Sequence, residues 1–204
     1  MNSFITFSLV VFMMAVSSGL RAQDSSKLHF TTGAGLIKSP GGLHHVLHPS
    51  VAFNSGLELI LNNNWFLQGT LDFNSLKYNQ RVKEDGSPYL FQNTNSSLVM
   101  FALSAGKNYF FRNNKWLASY YGGGGYLNIG EPRLIDRAEN VIRQQVSRKP
   151  GVFAKAGGRI GYKTPIQFLQ IVYFDAGYWA SPVDVQGSKL NGVSLFLGAR
   201  MSVK

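Results

Sequence analysis

The sequence predicts an all-β chain, eight antiparallel strands in up-and-down order closed into a transmembrane β-barrel. Three observations predict it. Apolar residues alternate with small or polar ones along eight stretches, the two-residue period of a strand with one greasy face. These stretches reach the ~9–11 residues a tilted strand needs to cross a bilayer. The connections run long, short, long, short, long, short, long, so tight turns collect at one end of the strands and long loops at the other. A soluble sandwich has no reason to sort its loops by end. An up-and-down membrane barrel does so, and even closure leaves no unpaired strand edge in hydrocarbon.

The chain has 204 residues, no cysteine, and a formal net charge of +10. One domain is expected for a β protein of this length. Without cysteine there is no disulfide framework and no thiolate metal site. The basic residues are scattered along the chain, so nothing selects nucleic acid as a partner. Residues 1–22 read as a secretory signal peptide. Phe4 to Val16 is an apolar core, Ser17-Ser18-Gly19 breaks it, and Ala22 precedes Gln23 as a small residue for cleavage. The barrel domain is then 23–204. Beyond Val16 no run approaches the ~18 apolar residues of a membrane helix.

The first strand, Leu28–Ile37, sets Leu28, Phe30, Ala34 and Leu36 against His29, Thr31, Gly33 and Gly35. After a polar connection over 38–49, the second strand (Ser50–Leu61) opposes Val51, Phe53, Leu57 and Leu59 to Asn54, Gly56 and Glu58. Asn62-Asn63-Asn64 is a tight turn by its chemistry. The third strand begins at Trp65, with Leu67, Leu71 and Phe73 opposite Gln68, Thr70 and Asp72; a charged loop over 77–95 follows. The fourth strand, Ser97–Phe110, is apolar on both sides between Leu98 and Leu103, which leaves its facing open. Arg112 to Lys115 forms the second short turn. The fifth strand, from Trp116 to about Leu127, is so rich in Tyr and Gly that its facing is open too. The sixth, Val152–Thr164, alternates cleanly, and Pro165-Ile166 is a short turn into the seventh, Phe168–Trp179. A last loop over 180–189 leads to the eighth strand, where Val193, Leu195, Leu197, Ala199, Met201 and Val203 share one face.

Aromatics sit at strand ends. Trp65, Tyr109, Trp116, Tyr162 and Phe168 lie beside the short turns, and Tyr121, Tyr126, Tyr178 and Trp179 lie towards the long loops. Two such bands fit the interfacial girdles of a membrane barrel. Gly198 stands three and five residues ahead of Met201 and Val203, and this GARMSV stretch resembles the C-terminal insertion signal of outer-membrane barrels, with Lys204 where an aromatic commonly ends the chain. Over residues 24–204 the chain resembles the small eight-stranded outer-membrane β-barrel family, OmpA/OmpX-like and PorT-like. The resemblance implies a monomer in the outer membrane of a Gram-negative bacterium. Its surroundings would be outer-membrane lipid, and the barrel-assembly machinery would insert it. It implies no single activity.

For chemistry, the inward faces carry Glu58, Asp72, Lys155, Arg159, Asp175 and Arg200. An eight-stranded barrel is only wide enough to be filled by side chains, so these charges are expected to pair in the lumen. If the sixth and seventh strands pair around Ile166, Lys155 and Arg159 are both diagonal neighbours of Asp175. His44, His45 and His48 with Ser39 and Ser50 contain the residue types of a metal site or lipid hydrolase. Adjacent histidines ligate poorly together, and no carboxylate lies in that loop, so neither a catalytic nor a metal site is assigned. The Gly122–Gly125 run lacks the following Lys-Ser/Thr and helix of a phosphate loop. Between the fifth and sixth strands, Leu134, Ile135, Ala138, Val141, Ile142 and Val146 recur at helical spacing. A short amphipathic helix is expected there, against an extension of the two strands. Arg133, Arg137, Arg143, Arg148 and Lys149 in this loop would meet lipopolysaccharide phosphates. The expected function is non-enzymatic, structural or surface-interacting, without a cofactor. The alternatives are a lipid A-modifying or phospholipid-acting barrel enzyme and a soluble lipocalin-like binder.

Overall fold

A computed structural model describes residues 27–40, 43–44, 47–78, 95–137, 141–185 and 187–203. The expected leader, His45 and most of the second long connection lie outside the described residues. In chain order the strands are β1 (Lys27–Lys38), the two-residue β2 (Leu47–His48), β3 (Ser50–Ile60), β4 (Trp65–Tyr78), β5 (Asn95–Phe111), β6 (Trp116–Arg137), β7 (Val141–Lys163), β8 (Leu169–Val185) and β9 (Ser188–Ser202). Each long strand pairs antiparallel with its neighbour in sequence, while β2 adds two rungs beside the long-loop end of β4. β9 returns to β1, from His29 opposite Ser202 to Lys38 opposite Val193, and closes an eight-stranded wall. Closure satisfies the backbone groups that an open sheet would expose to hydrocarbon.

Two of the short turns rest on left-handed backbone. Asn63 and Asn64 have φ of 57° and 62°, and Arg112, Asn113 and Asn114 have 49°, 57° and 60°. Asparagine adopts this region more readily than most residues, and it gives the turn the twist of the flanking strands. The third turn is wider than Pro165-Ile166. Proline has no N–H to close a two-residue turn, and the Thr164 N–H donates instead to the Gln170 carbonyl at 2.9 Å. The β7–β8 register is therefore displaced by two residues from the sequence expectation, which keeps every facing but changes the partners. Arg159 lies directly opposite Asp175, and Lys155 lies opposite Trp179 rather than diagonal to Asp175.

The strands overshoot at the other end. β6 and β7 stay paired from Trp116–Tyr162 to Arg137–Val141 in one unbroken register, so residues 134–137 and 141–146 of the expected helix are strand. The ladder explains the outcome. Each further rung extends a hairpin already nucleated, whereas a helix would need a costly nucleus of its own. Pro132 and Pro150 are tolerated because β5 stops pairing at Gly130 and β7 stops pairing with β8 at Ala154, leaving both prolines on free edges. The last loop likewise proves to be mostly strand. β8 and β9 pair from Asp184–Lys189 onwards after a bulge between Ala180 and Asp184 that contains Pro182.

The wall separates two environments. Outside lie Phe53, Leu57, Phe101, Ile160, Phe174, Val193 and Leu197, the last 64 % exposed. Inside lie Arg159 and Asp175, which are 4 % and 6 % exposed. A lipocalin-like binder would reverse these faces, so that reading is overturned. The open facings are settled as well. β5 turns Leu98, Met100, Ala102 and Ser104 inward, and β6 does the same with Leu117, Ser119, Tyr121 and Leu127. Tyr121 and Trp179, expected in the aromatic band near the long loops, are buried in the lumen. Both stand at odd positions on strands whose odd positions face inward, and only Tyr126 and Tyr178 remain outside at that level. The band at the short turns is outward as expected, with Trp116 and Tyr162 meeting edge-to-face at 5.3 Å.

Candidate functional site

The lumen has two storeys. Towards the long loops Ile37, Leu76, Leu98, Met100, Leu127, Ile129, Phe153, Trp179, Leu190 and Phe196 pack into an apolar core. Sequence alternation did not predict this storey, because β5, which supplies Leu98 and Met100, is apolar on both faces there, and single residues such as Leu76 and Leu190 stand among polar neighbours. Towards the short turns the interior is charged. Glu58 of β3, fully buried, accepts from Arg159 Nη1 at 2.8 Å through Oε2 and from Arg200 Nη1 at 2.6 Å through Oε1. Arg159 of β7 also donates from Nε to Asp175 Oδ2 at 3.1 Å, and from Nη2 to Gln68 Oε1 at 3.1 Å. Its guanidinium lies 4.3 Å from the Tyr173 ring centre. The Tyr121 hydroxyl donates to Asp175 Oδ1 at 2.7 Å, and Gln68 Nε2 donates to Thr31 Oγ1 at 3.2 Å.

Four of the six expected lumen charges thus meet as two carboxylates and two guanidiniums, a balance that buried charge requires. Asp72 and Lys155 do not join them. Asp72 accepts from Asn54 Nδ2, and Lys155 donates to Thr70 Oγ1 at 3.1 Å. With Tyr121, Arg159 and Asp175 these two line a cavity of about 20 Å³, room for about one water molecule. Gln68, Tyr121 and Tyr173 are members that sequence reasoning missed. Gln68 and Tyr173 share a strand face with Asp72 and Asp175, so the two-residue period could have found them. Tyr121 sat in the strand of open facing.

Ser39 is buried and the Ser50 hydroxyl donates to the Ser75 carbonyl. Among the described residues no cluster of three or more His, Asp or Glu could hold a metal ion. On the β6–β7 hairpin Arg148 is exposed, while Arg133, Arg137 and Arg143 occupy rungs nearer its tip. Lys149 is partly exposed and already engaged within the barrel. Its amine binds buried Glu131 at 2.7 Å and the Asp184 carbonyl at 3.0 Å, tying the hairpin to β8.

A closed eight-stranded wall with apolar side chains outside and ion pairs inside is now in view. The fold is that of the small outer-membrane β-barrels. The solved barrel of Neisserial surface protein A is 13 % identical, with a TM-score of 0.56 over 88 % of this chain and 100 % of that one. A major outer membrane protein from Thermus thermophilus is also 13 % identical, with a TM-score of 0.55 over 85 % of this chain and 98 % of that one. No protein-family profile and no curated protein sequence matches the chain. The barrel's outward belt meets acyl chains, and its short turns and long hairpins lie at opposite membrane faces.

Proposed function

We propose that this barrel is a non-enzymatic outer-membrane protein whose lumen is a sealed strut and whose outward work is done by the β6–β7 hairpin. The observation that carries the reading is Glu58, held at once by Arg159 and Arg200. Three strands are thereby tied across the interior beneath a packed apolar storey. An ion crossing the barrel would have to break both layers, and a bore of eight strands leaves no bypass. The hairpin presents Arg148, and with Arg133, Arg137 and Arg143 on its rungs it is suited to lipopolysaccharide phosphates or to a partner at the cell surface. As a single closed barrel it would work as a monomer, after insertion by the assembly machinery.

Planar-bilayer recording of the purified barrel tests the sealed lumen. No discrete conductance is expected from the wild type. Steady channels in the unmodified protein would refute the reading. The hydrolase and lipid A-modifying alternatives are tested by mass spectrometry of lipid A and phospholipids from cells with and without the protein. Identical profiles are expected.

A further inference from the structure

The outer surface beside the short turns carries a second feature, independent of the lumen. Lys107 projects outward from β5 and lies 5.6 Å from the ring centres of both Trp65 and Tyr109. Its rung neighbours are Trp65 on β4 and Tyr120 on β6. Arg112 and Lys115 are exposed in the β5–β6 turn. The turn is braced by β7, where the Lys163 N–H donates to the Lys115 carbonyl at 2.8 Å, while the Lys163 side chain shares the inward face with its rung partner Ile171. Lys107, Arg112 and Lys115 therefore share one arc of the rim, from β4 to β7. Among the described residues none of them is ion-paired, and the carboxylates of the charged storey towards the short turns, Glu58 and Asp175, are buried inside the barrel. The same arc holds Trp116 and Tyr162, so the cations are framed by rings at the depth where acyl chains give way to headgroups.

An unpaired ammonium at that depth needs an anion or water. A lysine stem lying along aromatic faces holds the charge close to the wall and in reach of a headgroup. We propose that the β4–β7 arc is a binding site for anionic phospholipid in the leaflet that faces the short turns, with Lys107, Arg112 and Lys115 taking the phosphate groups. The aromatic frame supports the acyl chains below them. Lipid of net negative charge is the fitting partner rather than zwitterionic lipid, because no described carboxylate on this arc is placed to receive a headgroup amine. The surface lies at the opposite end of the barrel from the hairpin arginines, so its fate is separate from theirs.

The tryptophans make the site directly readable. Trp65 and Trp116, 44 % and 37 % exposed, both lie on this arc, while Trp179 is 2 % exposed in the lumen and shielded from lipid. The barrel is reconstituted in phosphatidylcholine vesicles containing either brominated phosphatidylglycerol or brominated phosphatidylcholine at equal mole fraction, and tryptophan quenching is compared. Quenching equivalent to roughly threefold local enrichment of the anionic lipid is expected, the order of a partly screened cation–phosphate contact. In K107Q/R112Q/K115Q, whose folding is verified by heat-modifiable migration, the two lipids should quench equally. About 1 M salt should equalise them in the wild type, because screening then acts within ~3 Å. Equal quenching of the wild type at low salt overturns the site, and so does an anionic excess that survives the three substitutions. Should the variant not fold, the salt arm decides, and an excess that persists at high salt overturns it.

Discussion

Replacing Glu58 by alanine is the sharpest perturbation of the lumen. The carboxylate receives one bond from Arg159 at 2.8 Å and one from Arg200 at 2.6 Å, and it is fully buried. After truncation Arg159 keeps Asp175 and Gln68. Arg200 loses its carboxylate altogether, and its Nε already lacks a partner in the barrel. Removing one member of a buried pair typically costs about 3–5 kcal/mol, because the remaining charge stays desolvated. A cost of that order is expected here. Asp175→Asn should cost less, about 1–2 kcal/mol, since Arg159 retains Glu58 and the amide oxygen can still accept from Tyr121. Asp184→Asn removes only an exposed 2.9 Å contact with Lys189 and should cost at most about 1 kcal/mol. Equilibrium urea unfolding of the vesicle-reconstituted barrel measures the series, with tryptophan emission and gel migration as independent probes of folding. A double-mutant cycle between Glu58 and Arg200 should return a coupling of about 2 kcal/mol. If Glu58→Ala costs no more than Asp184→Asn, the tie across the lumen contributes nothing and the sealed strut falls with it.

Leu195→Arg places a charge on the lipid face near mid-strand and should cost roughly 2–4 kcal/mol in bilayers, measured by the same unfolding assay; no loss would mean that face is not in hydrocarbon. Within the glycine run, a Cβ at Gly125 would overlap the Phe101 carbonyl oxygen, whereas one at Gly122 meets nothing nearer than 3.9 Å. Gly125→Ala should therefore lose about 1–3 kcal/mol through forced backbone shifts, and Gly122→Ala should fold like the wild type. Replacing residues 132–146 by a two-residue Asn-Gly turn should leave heat-modifiable migration intact, because those rungs lie above the last pairing of β6 with β5. Loss of folding on that deletion would place the hairpin inside the cooperative unit.

Several elements of the molecule were legible without coordinates because they obey a local rule. Val193, Leu195 and Leu197 sit two apart, so they must share a face, and the pairing of tight turns with one end follows from loop lengths alone. The same reasoning placed Glu58, Arg159, Asp175 and Arg200 inside. It failed where two local patterns fitted the same residues. Leu134, Ile135, Val141, Ile142 and Val146 satisfied a helical period, yet they were drawn into strand by a register propagated from Trp116 and Tyr162. It failed again where no pattern existed, as in β5 between Leu98 and Leu103, whose two apolar faces conceal which one fills the lumen.

Alternation along the chain thus determined the number of strands in the wall, the lipid face of all of them but β5 and β6, and the inward position of the charges. Which charges touch was decided only by closure of the ring. Glu58 and Arg159 are 101 residues apart, on strands that are not neighbours in the wall. They meet because barrel diameter and strand stagger bring opposite walls within side-chain reach. The period of a strand is a property of consecutive residues, whereas stagger is a property of all eight strands together, and no stretch of sequence carries it alone.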